Sequence, residues 1–282
     1  MDMKRRNLLK IAGMSAIAGV AAPSALNLLM KGNVQASSSA GHSDSPSDAH
    51  GEMPAEKPTG VRLGLAIDVK KFAENKGLAE KCVAACHQIH NVPDFGNPKD
   101  EIKWLWIEKF ENLFPDHSHY KKNEELHQLP FLAVCNHCDD PPCVRACPTK
   151  ATFKAANGAV IMDFHRCIGC RFCMAACPYG ARSFNWRSPR EKDANGKLKF
   201  IKDLNEKFPT RMRGVVEKCN FCAERLAENL PPKCVEIAAS AQAMYFGDMN
   251  DPHSEISKVL KTKFTIQRKP ALGTLPSVFY II

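Results

Sequence analysis

The sequence lacks the features typical of three common classes of protein. No residues resemble an activated nucleophile or an acid–base pair, which argues against an enzyme with its own substrate site. The formal net charge is +9, but no basic patch is interleaved with aromatic residues, so nucleic-acid binding is not indicated. The apolar segment from Ile11 to Met30 is interrupted by Gly13, Gly19 and Pro23, which makes it a poor membrane span.

Cysteine, by contrast, is abundant: the chain has thirteen, and eight of them fall in two similar runs. The second run has the spacing of the bacterial ferredoxin signature, three closely spaced cysteines followed by Cys-Pro. The first run is longer by two residues, because Asp139–Pro142 separate its second and third cysteines. The runs are Cys135-x2-Cys138-x4-Cys143-x3-Cys147-Pro148 and Cys167-x2-Cys170-x2-Cys173-x3-Cys177-Pro178.

These runs predict iron–sulfur clusters. The first three thiolates of such a run bind one [4Fe-4S] cluster and the fourth binds its neighbour, so two runs share two clusters crosswise. Zinc and disulfides are the alternatives. Zinc sites with four cysteines usually consist of two separated Cys-x2-Cys pairs, and a third cysteine in each loop leaves one ligand too many. Disulfides need an export context and are not favoured among three cysteines within seven residues.

The N-terminus resembles a twin-arginine export leader. Arg5 and Arg6 precede the interrupted apolar segment, and Val34–Ala36 resembles a small-residue cleavage site. We therefore predict a leader over residues 1–36 and a periplasmic location, with a single membrane anchor as the alternative. Residues 37–60, rich in Ser, Ala, Pro, Asp and His, predict a flexible linker.

Strand patterns begin after this linker. Apolar residues alternate with small or polar ones from Leu63 to Val69, which predicts a strand, and Ile102–Ile107 predicts another. Asn157-Gly158 is a strong hairpin signal between the short strands Thr152–Lys154 and Ala159–Met162. Residues 181–186 predict a closing strand. The C-terminal residues 272–282 are apolar enough that we expect them to pair as a strand or to press on a partner.

From residue 61 to its end, the chain resembles the four-cluster ferredoxin subunits of membrane-linked respiratory complexes. The segments Cys135–Cys138, Cys167–Cys173 and Leu272–Thr274 carry this resemblance. It implies an α+β fold of tandem bacterial-ferredoxin-like, double βαβ-type domains with insertions, in which an inner module is inserted into an outer one. The implied parts are an outer half (61–127), an inner two-cluster module (128–189), a second outer half (190–247) and a partner-docking tail (248–282).

The chain departs from the family's four cysteine motifs at one cluster position. In the first motif, Phe72 replaces the first cysteine, the second is missing, and only Cys82 and Cys86 match the third and fourth. The fourth motif, Cys219-x2-Cys222-x11-Cys234, lacks its final Cys-Pro. By the family's crossed pattern, three of the four ligands of one outer cluster are gone, so the resemblance implies three clusters.

The resemblance also implies the ligands of each cluster. Cys82 is left over, and we expect it to be a small buried packing residue. Covalent haem at Cys82–His87 is an alternative, but its spacing is one residue longer than the usual motif. The implied quartets are Cys135, Cys138, Cys143 and Cys177; Cys147, Cys167, Cys170 and Cys173; and Cys86, Cys219, Cys222 and Cys234.

Within this family the chain looks most like DsrO-type subunits, which serve the DsrMKJOP membrane complex linked to dissimilatory sulfite reduction. That resemblance implies an electron-transfer subunit and two partners, an NrfD-type quinone-interacting membrane subunit and a multihaem cytochrome c, with peripheral membrane association through them. The alternatives are the electron-transfer subunit of a molybdopterin reductase and an iron–sulfur enzyme with its own substrate site. Arg171, Lys218 and Arg225 stand near ligands, and either tune the cluster potentials or are solvated charges.

Overall fold

The structure, a computed structural model, describes residues 60–117 and 128–282. The predicted leader (1–36) and all but the last residue of the predicted linker (37–60) lie outside the described residues. In the described ranges, no helix combines the length and apolarity needed to cross a membrane.

The described residues form ten short strands in four sheets. The largest sheet has four strands in the order β8-β1-β10-β9, and three two-stranded sheets pair β2 with β3, β4 with β5, and β6 with β7. The strands are β1 (Leu63–Asp68), β2 (Leu105–Glu108), β3 (Phe131–Val134), β4 (Thr152–Lys154), β5 (Val160–Met162), β6 (Ser183–Phe184), β7 (Val216–Glu217), β8 (Met244–Asp248), β9 (Thr265–Ile266) and β10 (Val278–Ile281).

Mostly short helices connect these strands. Polar side chains cap two of them: Asp68 accepts a hydrogen bond from the backbone N–H of Lys71, and Ser254 accepts one from Ser257, each at 3.2 Å. The α-helices of the described ranges are α1 (Val69–Glu74), α2 (Leu78–Ile89), α3 (Phe110–Leu113), α4 (Pro142–Arg145), α5 (Phe172–Ala175), α6 (Ala223–Ala227), α7 (Lys233–Ala238) and α8 (Glu255–Thr262).

Strand β1 lies at the centre of the largest sheet. It pairs in parallel with β10, where Leu65 faces Val278, and antiparallel with β8, where Leu65 faces Phe246. Of the two alternatives predicted for the apolar C-terminus, Val278–Ile281 therefore adopts strand pairing. Strands β1 and β10, which lie near the two ends of the described chain, are therefore neighbours in the same sheet.

Both faces of β1 are buried, although its alternating sequence predicts one buried face. Leu65 and Ile67 belong to the large core, while Ala66 packs with Ile256 of α8 on the opposite face. Small residues make this second contact possible, because a Cβ on Gly64 would lie 2.4 Å from Sδ of Met249. The alternation reflects the size of the side chains rather than their exposure.

Several sequence predictions are confirmed. Strands β4 and β5 form the antiparallel hairpin expected around Asn157-Gly158. The strands predicted over Ile102–Ile107 and residues 181–186 exist in shorter form as β2 and β6, which pair with β3 and β7. The mixture of short strands and helices confirms the α+β part of the predicted fold class.

Candidate iron–sulfur sites

Twelve of the thirteen cysteines line three small cavities, four in each, and all thirteen are free thiols. We name the cavities site 1, site 2 and site 3. Their empty volumes are similar, about 320, 270 and 330 Å³. The cysteines are Cys135, Cys138, Cys143 and Cys177 at site 1; Cys147, Cys167, Cys170 and Cys173 at site 2; and Cys86, Cys219, Cys222 and Cys234 at site 3.

The structure thus brings together the same quartets that the family resemblance implies, while iron binding by them stays a prediction. The segments around helices α4 and α5 each contribute one cysteine to site 1 and one to site 2. Cys143 of α4 lines site 1, and Cys147, just beyond the helix, lines site 2. Cys173 of α5 lines site 2, and Cys177 lines site 1. Two short covalent segments therefore link neighbouring sites.

The three Cys-x2-Cys loops that begin at Cys135, Cys167 and Cys219 share one backbone feature. In each loop the residue before the second cysteine is left-handed, with φ of +41° at His137, +72° at Gly169 and +57° at Phe221. This conformation costs a non-glycine residue about 1–2 kcal/mol, and such strain persists where the surroundings enforce it. The same left-handed turn at three separate places, strained at His137 and Phe221, indicates a common demand, the placement of two thiols at one cavity.

Two of these left-handed residues also connect site 1 to site 3. The rings of His137 and Phe221 stack with centroids 3.5 Å apart and planes 11° apart. Nδ1 of His137 accepts a hydrogen bond from the backbone N–H of Val160 at 3.0 Å. Burial, together with the charges of Lys218 and Arg182, holds the pKa of His137 well below its ordinary value. A neutral aromatic pair therefore lies between the loops of the two sites.

At sites 1 and 3, neighbouring thiols oppose one another's ionisation. Burial, followed by the charge of Cys135, raises the pKa of Cys138 to about 12. Burial also raises the pKa of Cys86 well above its ordinary value, and the other three cysteines of site 3 add to the effect. Four thiolates can share such a cavity only when a bound cation offsets their charge, as iron does in a cluster. The chemistry of the quartets fits a [4Fe-4S] group.

A buried amide at site 1 supports this fit. Asn136 lines the cavity and is 1% exposed, yet neither its Nδ2 nor its Oδ1 has a hydrogen-bond partner in the described part of the chain. An unpaired buried amide is costly, so a missing partner is indicated. Cluster and cysteine sulfur atoms would accept from Nδ2.

Site 3 lies between α2 and α7, which pack together. Cys86 comes from α2 and Cys234 from α7. Beside it, the His90 ring stacks on Trp104 at 4.3 Å, with Nδ1 2.8 Å from the Cys86 carbonyl and Nε2 2.9 Å from Oε1 of Glu224. These contacts fix the end of α2 that carries Cys86.

Three residues at or near the positions that the resemblance assigns to a fourth cluster are packed in the core. Phe72, Cys82 and Ala238 are at most 2% exposed and belong to the same hydrophobic core. Sγ of Cys82 lies 3.5 Å from the carbonyl oxygen of Cys234 and lines none of the three sites. The structure therefore places Cys82 as a packed core residue next to site 3.

Sequence reasoning missed some of the residues around the sites. It singled out Arg171, Lys218 and Arg225, of which Lys218 alone is buried, and it passed over Arg182, which lines site 1 and is 5% exposed. A signal was available, since Arg182 falls in the closing strand predicted over residues 181–186, directly after Ala181. Charge in such a strand suggests a buried partner.

An α+β fold with cysteine quartets at three cavities of one size defines a protein of the ferredoxin class. A family model described as a 4Fe-4S dicluster domain matches residues 127–203, which hold both runs of the ferredoxin signature. The chain belongs to the family of iron–sulfur electron-transfer subunits of respiratory oxidoreductases, as relatives over most of its length show.

Three of these relatives illustrate the match. The Hdr-like menaquinol oxidoreductase iron–sulfur subunit 1 of Archaeoglobus fulgidus is 39% identical, covering 81% of this chain and 86% of the relative. The arsenate respiratory reductase iron–sulfur subunit ArrB of Shewanella sp. is 36% identical, covering 78% and 96%. The menaquinone reductase iron–sulfur cluster-binding subunit of Nitratidesulfovibrio vulgaris is 32% identical, covering 81% and 92%. These names confirm the expectation of an electron-transfer subunit.

The turn at Gly169 gives a test of site 2. A Cβ at this position would lie 2.3 Å from the carbonyl oxygen of Gly214, and backbone cannot yield as a side chain can. We expect Gly169→Ala to lose the cluster of site 2, a drop of about four irons per chain. Gly196→Ala is the control, because Gly196 has φ of +78° but open space around it. Equal iron content in the two purified variants would contradict the assignment.

Proposed function

We propose that this chain is an electron relay with three [4Fe-4S] clusters. The observation that carries the proposal is the meeting of four cysteines at each of three cavities, with each quartet drawn from two separated stretches of the chain. The proposed ligands are Cys135, Cys138, Cys143 and Cys177 at site 1; Cys147, Cys167, Cys170 and Cys173 at site 2; and Cys86, Cys219, Cys222 and Cys234 at site 3.

Each cluster, when bound, takes up and releases one electron. The protein's part is to hold the sites in a row and to shape their surroundings. Site 1 is the middle of the row, since α4 and α5 join it to site 2 and the His137–Phe221 stack joins it to site 3. At site 3, backbone N–H groups of Phe221 and Lys233 point at Sγ of Cys219 and Cys222, at 3.4 and 3.5 Å. Such donors stabilise thiolate charge.

The domain arrangement is part of the proposal. An inner module over residues 128–189 would hold the cysteines of sites 1 and 2. Outer halves over residues 61–127 and 190–247 would hold those of site 3. The dicluster match over residues 127–203 supports the inner module. The pairing of β1 with β8 and β10 supports an outer unit that closes around the inner module. Residues 248–282 would contribute to the sheet of this outer unit as well as to partner contacts.

For the partners, we propose an NrfD-type quinone-interacting membrane subunit and a multihaem cytochrome c, in a periplasmic DsrMKJOP-type complex of sulfite respiration. Two of the relatives are named as subunits of menaquinol or menaquinone enzymes, which supports a quinone-linked role. The second candidate is the electron-transfer subunit of a molybdopterin reductase. The relative ArrB, which is named for arsenate reduction, supports this reductase alternative.

Genes beside this one separate the two candidates. We expect coding sequences for a multi-span membrane subunit and a multihaem cytochrome c in the same transcription unit. A molybdopterin catalytic subunit there, without the cytochrome, would favour the reductase instead.

Iron content tests the relay itself. We expect about twelve irons and twelve labile sulfides per chain of anaerobically purified protein, from three clusters of four. Cys82→Ala should keep that content, because Cys82 lines none of the sites, whereas Cys138→Ala should lower it. About sixteen irons, or iron loss in the Cys82 variant equal to that of the Cys138 variant, would show that the ligand assignment is wrong.

The leader is tested by localisation. Replacing Arg5 and Arg6 with lysine should leave cluster-loaded protein in the cytoplasm, because the twin-arginine route requires the arginine pair. Lys4→Arg is the control and should not alter export. Periplasmic recovery of the double-lysine variant, measured by cell fractionation, would rule out this route.

A further inference from the structure

Three buried cations lie around site 1 without a carboxylate partner. Arg182, Lys218 and Arg268 are 5%, 1% and 4% exposed, and no acidic group of the described residues forms an ion pair with any of them. Arg211, buried to the same degree, shows the usual arrangement, with Nη2 2.6 Å from Oε2 of Glu217. An unpaired buried cation costs several kcal/mol, so these three require negative charge from another source.

Arg182 lies between sites 1 and 2. It lines site 1, and its Nη1 lies 3.7 Å from Sδ of Met162, a residue that lines site 2. Its Nη2 donates to Oγ1 of Thr152 at 2.8 Å. Although burial acts in the opposite direction, the thiolates of Cys143, Cys173 and Cys135 raise the pKa of Arg182, and these cysteines belong to both sites.

Lys218 lies between sites 1 and 3. Its Nζ donates to the carbonyl oxygen of Val160, which lines site 1, and to that of Cys219, which lines site 3, the latter at 2.6 Å. Both acceptors are neutral, so they do not balance the ammonium charge. The ring of His90, beside site 3, faces the carboxylate of Glu224 instead.

Arg268 approaches site 1 through Tyr179. Its Nη2 donates to the backbone carbonyl of Tyr179, a residue of site 1, at 3.1 Å, and its guanidinium lies 5.2 Å from the Tyr179 ring centroid. Nε and Nη1 of Arg268 have no partner among the described residues. Site 1 is thus near all three cations, whereas sites 2 and 3 are each near one.

We propose that Arg182, Lys218 and Arg268 make the middle site the one of highest reduction potential in the row, with Arg182 shared with site 2 and Lys218 with site 3. The inference rests on the proposed function, since it needs clusters at the three sites. A cluster with four thiolates carries about −2 and gains one negative charge on reduction, so buried positive charge favours its reduced form. An electron therefore resides preferentially at site 1.

The test is an EPR-monitored redox titration of the full-length, cluster-loaded protein. In the wild type, the signal that appears at the highest potential should belong to site 1. Gly169→Ala, which removes site 2, and Cys234→Ser, which removes a ligand of site 3, should both retain that signal. Its loss in either variant would overturn the proposal, whereas a total of other than about twelve irons would overturn the relay itself.

Charge removal then tests the cause. Arg182→Met should lower the midpoint potentials of sites 1 and 2 and leave that of site 3 unchanged. Lys218→Met should lower the midpoint potentials of sites 1 and 3 and leave that of site 2 unchanged. Arg182→Lys and Lys218→Arg keep the positive charge, so they should retain most of the wild-type midpoint potentials. Arg166→Met is the matched control, because Arg166 adjoins Cys167 but lines none of the three sites, and its side chain is 65% exposed to solvent and therefore screened.

A merely structural role would give a different result. A structural role would lower the iron content without this pairwise pattern of shifts in midpoint potential. Unchanged midpoint potentials at full iron content would also overturn the proposal. Arg182→Gln and Lys218→Gln keep a hydrogen-bond donor for Thr152 and Val160, and they replace the methionine variants if those fail to load iron. If the glutamine variants fail as well, the wild-type ranking decides, and a middle site that is not highest refutes the inference.

Discussion

Four thiol groups meet at each cavity, although at sites 1 and 3 burial and mutual repulsion oppose the ionised form that binds metal. The raised pKa values of Cys86 and Cys138 express this opposition directly. The chain overcomes it by covalent means, with left-handed turns at His137 and Phe221 holding paired cysteines at one cavity. Iron, as proposed, would then supply the positive charge that makes four thiolates in one cavity compatible. Much of the fold serves to place these quartets.

The same constraint explains how charge is distributed between the sites. The quartets lie close enough that a cation between two of them serves both, as Arg182 and Lys218 do through Met162 and Val160. His137, kept neutral in the same region, adds packing without adding charge. Buried cations that would destabilise an ordinary core become part of the site here, because the proposed clusters provide their counter-charge.

A local pattern was sufficient to predict the hairpin at Asn157-Gly158, because it follows from a short spacing. The cysteine quartets join residues as far apart as Cys86 and Cys219, and they were predicted from the family resemblance instead. The parallel pairing of β1 with β10 could not be predicted in this way, since Leu65 and Val278 are far apart in sequence. The second buried face of β1 depends on α8, which no pattern in β1 itself indicates. The burial of Arg268 likewise depends on a distant contact, with Tyr179.

The packing around Cys82 bears on how a row of three proposed clusters stays stable. A single lost ligand would leave a three-cysteine cavity, and an empty cavity costs stability in proportion to its volume. Here Phe72, which the resemblance places where a ligand would be, and Ala238 of α7 are both buried in the same hydrophobic core. Cys82 packs between them and site 3, with its thiol on the Cys234 carbonyl. The core has thus replaced the proposed lost cluster with apolar contacts that hold α2 against α7, and that packing in turn fixes Cys86 and Cys234 at site 3.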